Sequence, residues 1–341
     1  MNVSKANVHK HYPLFCKVGL RNKEVEKNSR LVVTRVSKSC NHSLESEFLQ
    51  GSEMKLVSFE HKSQQMVGSL SVDQSQINFN DNLSGNLIGL PQSCGLPNLS
   101  PQTLEQALGQ SNATIDLADV TLKAPVEAME KLICVGTNYA DHAKEMGSQV
   151  PELPIIFNKF PSCIVGPESE IKLPQLSQKV DFEAELVVVI GVQGKHIAKE
   201  NAMDHVLGYC CGNDISARDW QKGKPGGQWL LGKAFDTFAP LGPMIVTKDE
   251  IPDPYDLGIR LRLNGELMQD SNTSHLIFPI DFLISHLSQF VTLRPGDLLF
   301  TGTPPGVGAG RKPQLFLKPG DQLEVEIDGL GVLRNKVVAD S

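Results

Sequence analysis

The chain has 341 residues, 40% hydrophobic and 21% charged, an ordinary globular composition and long enough for a sizeable core. A formal net charge of −7 argues against a nucleic-acid surface, and no apolar run of about 18 residues offers a membrane span. Its seven cysteines (16, 40, 94, 134, 163, 210 and 211) form no C-x-x-C pair, which points to a reducing compartment, with the adjacent Cys210 and Cys211 read as buried filler rather than a redox pair.

Residues 1–40 hold nine Lys/Arg against two acids, Glu24 and Glu26, with frequent serine and asparagine and no hydrophobic secretory core. This predicts a mitochondrial transit peptide within an unfolded segment 1–53; a basic tail on a cytoplasmic protein is the alternative. Residues 54–125 read as a small β-rich N-terminal domain. It has a strand over 66–72, a Pro/Gly-rich connection over 89–97, a helix over 101–110 capped by Ser100 with Pro101 as its first residue, and a strand over 115–122. The second unit, 126–341, opens on a buried strand at 131–136. A helix at 140–146 follows, then strands at 155–157, 182–190 and 207–212, a helix at 215–222 and a strand at 228–235. Asn264-Gly265 between alternating runs predicts a hairpin with a type I′ turn. Apolar residues at 280, 283, 284 and 287 predict a helix ending near Phe290. The tail alternates over 322–327 and turns at Asp328-Gly329. Strands outnumber helices without regular alternation, so the class is α+β rather than a Rossmann or TIM-barrel pattern.

The chemistry centres on Asp181-Phe182-Glu183-Ala184-Glu185-Leu186-Val187-Val188-Val189-Ile190-Gly191. Two side chains two residues apart on a strand share a face, about 6.6 Å apart along it. The apolar run that follows predicts cover on both faces, where two ionised carboxylates need a cation. With Asp214 at the end of the next apolar run, Glu183 and Glu185 would suit a hard ion: Mg²⁺, Mn²⁺ or Ca²⁺. A wet strand face for the glutamates and a helix-capping role for Asp214 are the competing readings. His142 and Glu145 are helical neighbours that suit general-base work, or form an ordinary surface pair. Arg218 and Gln221 fall on the helical face that Asp214 would start, with Arg218 offering a fork for a substrate carboxylate unless it faces solvent. Lys233, within an apolar run, needs an anion or an exit to water. The glycines of 301–310 allow close approach to an anion but match no nucleotide-binding pattern.

Five motifs occur together in order: Gly-Thr-Asn-Tyr-Ala-Asp-His-Ala-Lys-Glu (136–145), Asp-Phe-Glu-Ala-Glu-Leu (181–186), Asn-Asp-Ile-Ser-Ala-Arg-Asp-Trp-Gln (213–221), Leu-Gly-Lys-Ala-Phe-Asp-Thr-Phe (231–238) and Thr-Gly-Thr-Pro-Pro-Gly-Val-Gly (301–308). Over roughly 54–341 the chain resembles the fumarylacetoacetate hydrolase superfamily, closest to its domain-containing-protein-2 branch. The resemblance implies the family's β-rich mixed roll as catalytic domain, and a homodimer. It also implies Mg²⁺ or a similar ion on Glu183, Glu185 and Asp214. His142 and Glu145 would be the acid–base dyad, Lys233 the catalytic lysine, and Arg218, Gln221 and Thr303 the groups holding substrate oxygens. Fumarylacetoacetases proper carry a further metal-binding aspartate with no clear counterpart here, which puts that substrate in doubt. The implied activity is metal-dependent chemistry on small 2-oxo acids through a stabilised enolate, first oxaloacetate keto–enol tautomerisation. Hydrolysis of a C–C bond in acylpyruvate-like diketo acids and oxaloacetate decarboxylation are the alternatives, and a metal-binding scaffold without turnover is the non-enzymatic one.

Overall fold

A computed structural model describes residues 54–89, 98–109 and 111–340. The expected transit peptide and most of the Pro/Gly-rich connection lie outside the described residues. Among these, the largest sheet has twelve strands. Ten follow one path: Ala113–Asp116, Gln76–Ser84, Gln64–Leu70, Lys55–His61, Ala239–Thr247, Val206–Asn213, Ala184–Ile190, Leu298–Phe300, Leu132–Gly136 and Ile155–Lys159. Strands from residues 54–125 join this sheet where Leu56 pairs with Ile245. A five-stranded sheet runs Glu266–Asn272, Gly258–Leu263, Gln322–Ile327, Gly331–Ala339, Glu170–Leu173.

The Ala184–Ile190 strand lies between two cores, as its composition implies. Leu186, Val188 and Ile190 pack into the core shared with Ile259, Leu261, Val325 and Ile327 of the second sheet. Val187 and Val189 face the other way, into a core with Leu207, Cys210 and Leu104. Every residue of the strand is at most 1% exposed, and full burial of each large aliphatic side chain contributes about 1.5–3 kcal/mol. No wet face exists, so the alternative for Glu183 and Glu185 falls.

Local signals hold in several places. The first α-helix is Pro101–Leu108, with the Ser100 hydroxyl accepting from the Thr103 N–H. Asn264 and Gly265 both take positive φ, as a type I′ turn requires. The helix Ile280–Phe290 buries residues 280, 283, 284 and 287. Three expectations need correction. The helix at 215–222 is only Arg218–Gln221; Ser216–Ala217 is a strand paired with Val180–Asp181. The Asp214 and Ile215 N–H groups bond to the carbonyls of Glu183 and Phe238, so the backbone there serves sheet neighbours and Asp214 caps no helix. The segment 228–235 holds a short helix, Trp229–Lys233, not a strand. Its apolar run has no period to separate the two, and Gly232 packs so tightly that a Cβ would sit 2.6 Å from the Gln221 nitrogen. Finally, 115–122 is broken by a 3-10 turn at Leu117–Asp119.

Candidate active site

Glu183 immediately precedes the Ala184–Ile190 strand and Glu185 lies within it, so strand parity puts both on one side. Asp214 follows the neighbouring Val206–Asn213 strand, whose Asn213 and Gly212 pair with Ala184 and Glu185. Carboxylate oxygens of the three acids come within 4.8 Å of one another. All three are buried.

Cations surround two of them. Lys233 Nζ lies 2.6 Å from Glu183 Oε2 and 2.6 Å from Asp214 Oδ2. Arg218 donates through Nε to Asp181 Oδ2 at 2.8 Å and through Nη1 to Gln221 Oε1 at 3.0 Å, while Nη2 lies 2.6 Å from Glu183 Oε1. Lys159 Nζ sits 2.6 Å from Asp214 Oδ1, off the hydrogen-bonding direction, and donates to the carbonyls of Ile215 and Phe238. Glu185 has no such partner among the described residues; its Oε2 accepts the Gly302 N–H at 2.7 Å. Four buried carboxylates (Asp181, Glu183, Glu185, Asp214) thus face three buried cations (Lys159, Arg218, Lys233).

The electrostatics follow. Burial, then the Asp214 and Glu183 charges, push the Glu185 carboxyl well above the ordinary carboxylate range. Burial would do the same to Glu183, but Arg218 and Lys233 outweigh it and hold that carboxyl well below the range. Burial alone would lower the proton affinity of Lys233; Asp214 and Glu183 overcome it and raise that affinity. A hard divalent cation fits this donor set: three oxygen ligands, no thiolate or imidazole, and one negative charge unmatched.

The cluster faces a cavity of about 190 Å³, lined also by His142, Arg218, Gln221, Lys233 and Thr303. His142 Nδ1 lies 3.1 Å from Glu145 Oε2, and Glu145 Oε1 accepts the Gly306 N–H at 2.8 Å. His142 is buried, so the pair is no ordinary surface contact. The Thr303 hydroxyl donates to the Ala184 carbonyl at 2.9 Å and accepts from Gln269 Nε2 at 2.8 Å. The anions approached by the 301–310 loop are the protein's own: Gly302, Gly306 and the Gly308–Ala309 pair donate to Glu185, Glu145 and Asp181. Gly302 has φ +103°, and a Cβ there would meet the Asn138 Cβ at 2.6 Å. Sequence reasoning missed Lys159, Asp181 and Gln269. A lysine closing the apolar run 155–157 and an aspartate two residues before Glu183 were the available signals.

The fumarylacetoacetate (FAA) hydrolase C-terminal family model matches residues 131–338. The chain belongs to the fumarylacetoacetate hydrolase family. It is 56% identical over 237 residues to a mitochondrial oxaloacetate tautomerase of Xenopus laevis, covering 70% of this chain and 74% of that protein. It is 52% identical over 252 residues to a mitochondrial oxaloacetate tautomerase of Homo sapiens, covering 70% and 80% respectively. Among solved structures it is similar to a fumarylacetoacetate hydrolase of Exiguobacterium antarcticum, with a TM-score of 0.70 at 36% identity over 84% of this chain and 100% of that one. The expected α+β class with a β-rich fumarylacetoacetate hydrolase fold is the one observed.

Proposed function

We propose that the protein is an oxaloacetate keto–enol tautomerase that uses a divalent cation, Mg²⁺ by preference, held by Glu183, Glu185 and Asp214. The observation that carries this reading is the buried three-carboxylate cluster sharing a small cavity with His142 and Lys233. The names of the similar proteins supply the substrate. A cation bound there supplies Lewis-acid polarisation of a 2-oxo carbonyl, which acidifies the adjacent C3–H.

The chain's own residues do the rest. His142, oriented by Glu145, takes the C3 proton in one direction and returns it in the other. Lys233, kept charged by Glu183 and Asp214, offers its remaining N–H to the 2-oxygen as negative charge develops there, and that oxygen gains or loses its own proton by exchange with solvent at the exposed side of the cavity. Arg218 spends its fork on Asp181, Glu183 and Gln221, so its part is to hold Glu183 and Gln221 in place. Thr303 likewise donates to the Ala184 carbonyl and accepts from Gln269, so its part is to fix the backbone between Glu183 and Glu185.

The test follows the ultraviolet decay of enol-oxaloacetate with purified protein and Mg²⁺. Accelerated decay without pyruvate release or chain cleavage is expected, and its loss in Glu183→Ala with Glu185→Ala. Unchanged decay in the wild type sinks the reading. Pyruvate release would shift it to decarboxylation, and two carboxylic fragments from an acylpyruvate to C–C hydrolysis.

Two further proposals accompany it. The 1–53 segment directs the chain to mitochondria, supported by its composition and by the relatives' mitochondrial names; a deletion that leaves organellar localisation intact refutes this. The protein pairs as a homodimer through the open edge of Ile155–Lys159, where exposed Ile156, Phe160, Phe290 and Val291 line an apolar cavity of about 590 Å³. Ile156→Asp should yield a monomer by light scattering, and an unchanged mass refutes that surface.

A further inference from the structure

A 2-oxo diacid carries a second carboxylate, distal to the one beside the keto group. The three acids lining the cavity, Glu183, Glu185 and Asp214, repel it, so it needs a cation at another wall. The cavity wall offers three cations: Arg218, Lys222 and Lys233. Arg218 is committed to Asp181, Glu183 and Gln221, and Lys233 to Glu183, Asp214 and, in the proposed reaction, the 2-oxygen. Lys222 alone has no carboxylate within ion-pair distance among the described residues. Its backbone closes the helix Arg218–Gln221 through a 3.1 Å bond to the Arg218 carbonyl, while its side chain stays exposed at the cavity wall. Thr137, Ser148, Gln221 and Thr303, which also line the cavity, carry no charge to match a carboxylate.

We propose that Lys222 is the specificity-determining residue that binds the distal carboxylate of the substrate and selects 2-oxo diacids over 2-oxo monoacids. The inference rests on the 2-oxo acid reading of the same site. Partial burial at the wall, then the Arg218 charge, lowers the proton affinity of the Lys222 ammonium, and Glu183 offsets them only in part. An arriving carboxylate supplies that anion and forms a charge-assisted hydrogen bond.

The experiment compares wild type, Lys222→Gln and Lys222→Arg with oxaloacetate and 2-oxobutyrate, which differ in the distal carboxylate. Lys222→Gln should raise the KM for oxaloacetate tenfold or more, a larger change than in kcat, and leave the inhibition constant of 2-oxobutyrate within twofold; Lys222→Arg should recover most of the lost affinity. Ligand-induced thermal stabilisation of the Mg²⁺-loaded proteins gives the same comparison without turnover. If the wild type fails to tautomerise oxaloacetate yet oxaloacetate stabilises it and not Lys222→Gln, the distal-carboxylate site stands while the activity reading fails. An unchanged KM and thermal shift in Lys222→Gln, or an equal loss for 2-oxobutyrate, overturns the proposal.

Discussion

Glu185→Gln separates the cost of the acidic cluster from its use. In the metal-free protein Glu185 is buried beside Glu183 and Asp214; among the described residues it has one backbone donor, Gly302, and no cation of its own. Glutamine keeps an oxygen for that N–H and removes the buried charge, so metal-free stability should hold to within about 1 kcal/mol or rise. The pH dependence has a definite sign. Because the folded Glu185 carboxyl binds its proton more tightly than an ordinary glutamate, which titrates at 4.5, the metal-free wild type loses stability as pH rises above that value; the variant lacks this slope. The opposite contribution of Glu183, whose folded carboxyl lies below 4.5, is present above that value and lost as pH falls, in both proteins. Cation binding reverses the ranking. At a cation concentration about a hundredfold above Kd the wild type gains about 2.7 kcal/mol; a Kd raised about a hundredfold leaves the variant about 0.4 kcal/mol. At about 2 °C per kcal/mol for a chain this long, the gap in Mg²⁺-induced Tm shift is about 5 °C. Scanning calorimetry in EDTA and in Mg²⁺ across pH 4.5–8 measures all three quantities. An equal Mg²⁺-induced shift in both proteins, or a metal-free variant that melts several degrees lower, refutes the argument.

Arg218→Lys replaces a fork that bridges Asp181, Glu183 and Gln221 with a point charge; urea unfolding should show a loss of about 3–5 kcal/mol, and a loss under 1 kcal/mol would mean the bridge is dispensable. His142→Asn should leave Tm within about 2 °C while lowering kcat for enol-oxaloacetate about 10²–10⁴-fold, and retained turnover would move the C3 proton elsewhere. Gly302→Ala forces a Cβ against Asn138 at positive φ; it should cost about 1–3 kcal/mol in chemical unfolding and weaken Mg²⁺ binding in calorimetric titration, because the same residue's N–H holds Glu185.

Much of the fold was legible where local chemistry is strong. The unbroken aliphatic run after Glu185 announced a doubly covered strand, Asn264-Gly265 its hairpin, and residues 280–287 their helix. The acids and Lys233 were legible as anomalies, charges set in apolar sequence. Other parts depend on distant partners. Lys159 is buried by carbonyls 56 and 79 residues away, and its exposed neighbour Asn158 makes it read as a strand end facing water. Asp181 meets Arg218 at a separation of 37 residues and Gly308 at 127. The helical-face argument for Arg218 assumed a helix begun at Asp214; strand pairing of Ser216–Ala217 with Val180–Asp181 carries Arg218 to Glu183 by another route.

The 301–310 segment joins the two halves of the site. Gly302 orients Glu185 on the acidic side, Gly306 orients Glu145 and through it His142, and Gly308 with Ala309 fixes Asp181, which holds Arg218 against Glu183. Each donation is a backbone N–H, so apart from proline no substitution within the loop removes one without moving the chain. A displacement of the loop therefore perturbs the carboxylate cluster and the acid–base pair together. The glycines that a phosphate-binding reading would assign to a ligand are required here because the backbone must approach buried carboxylates of the protein itself, and at Gly302 only a residue without a Cβ can do so.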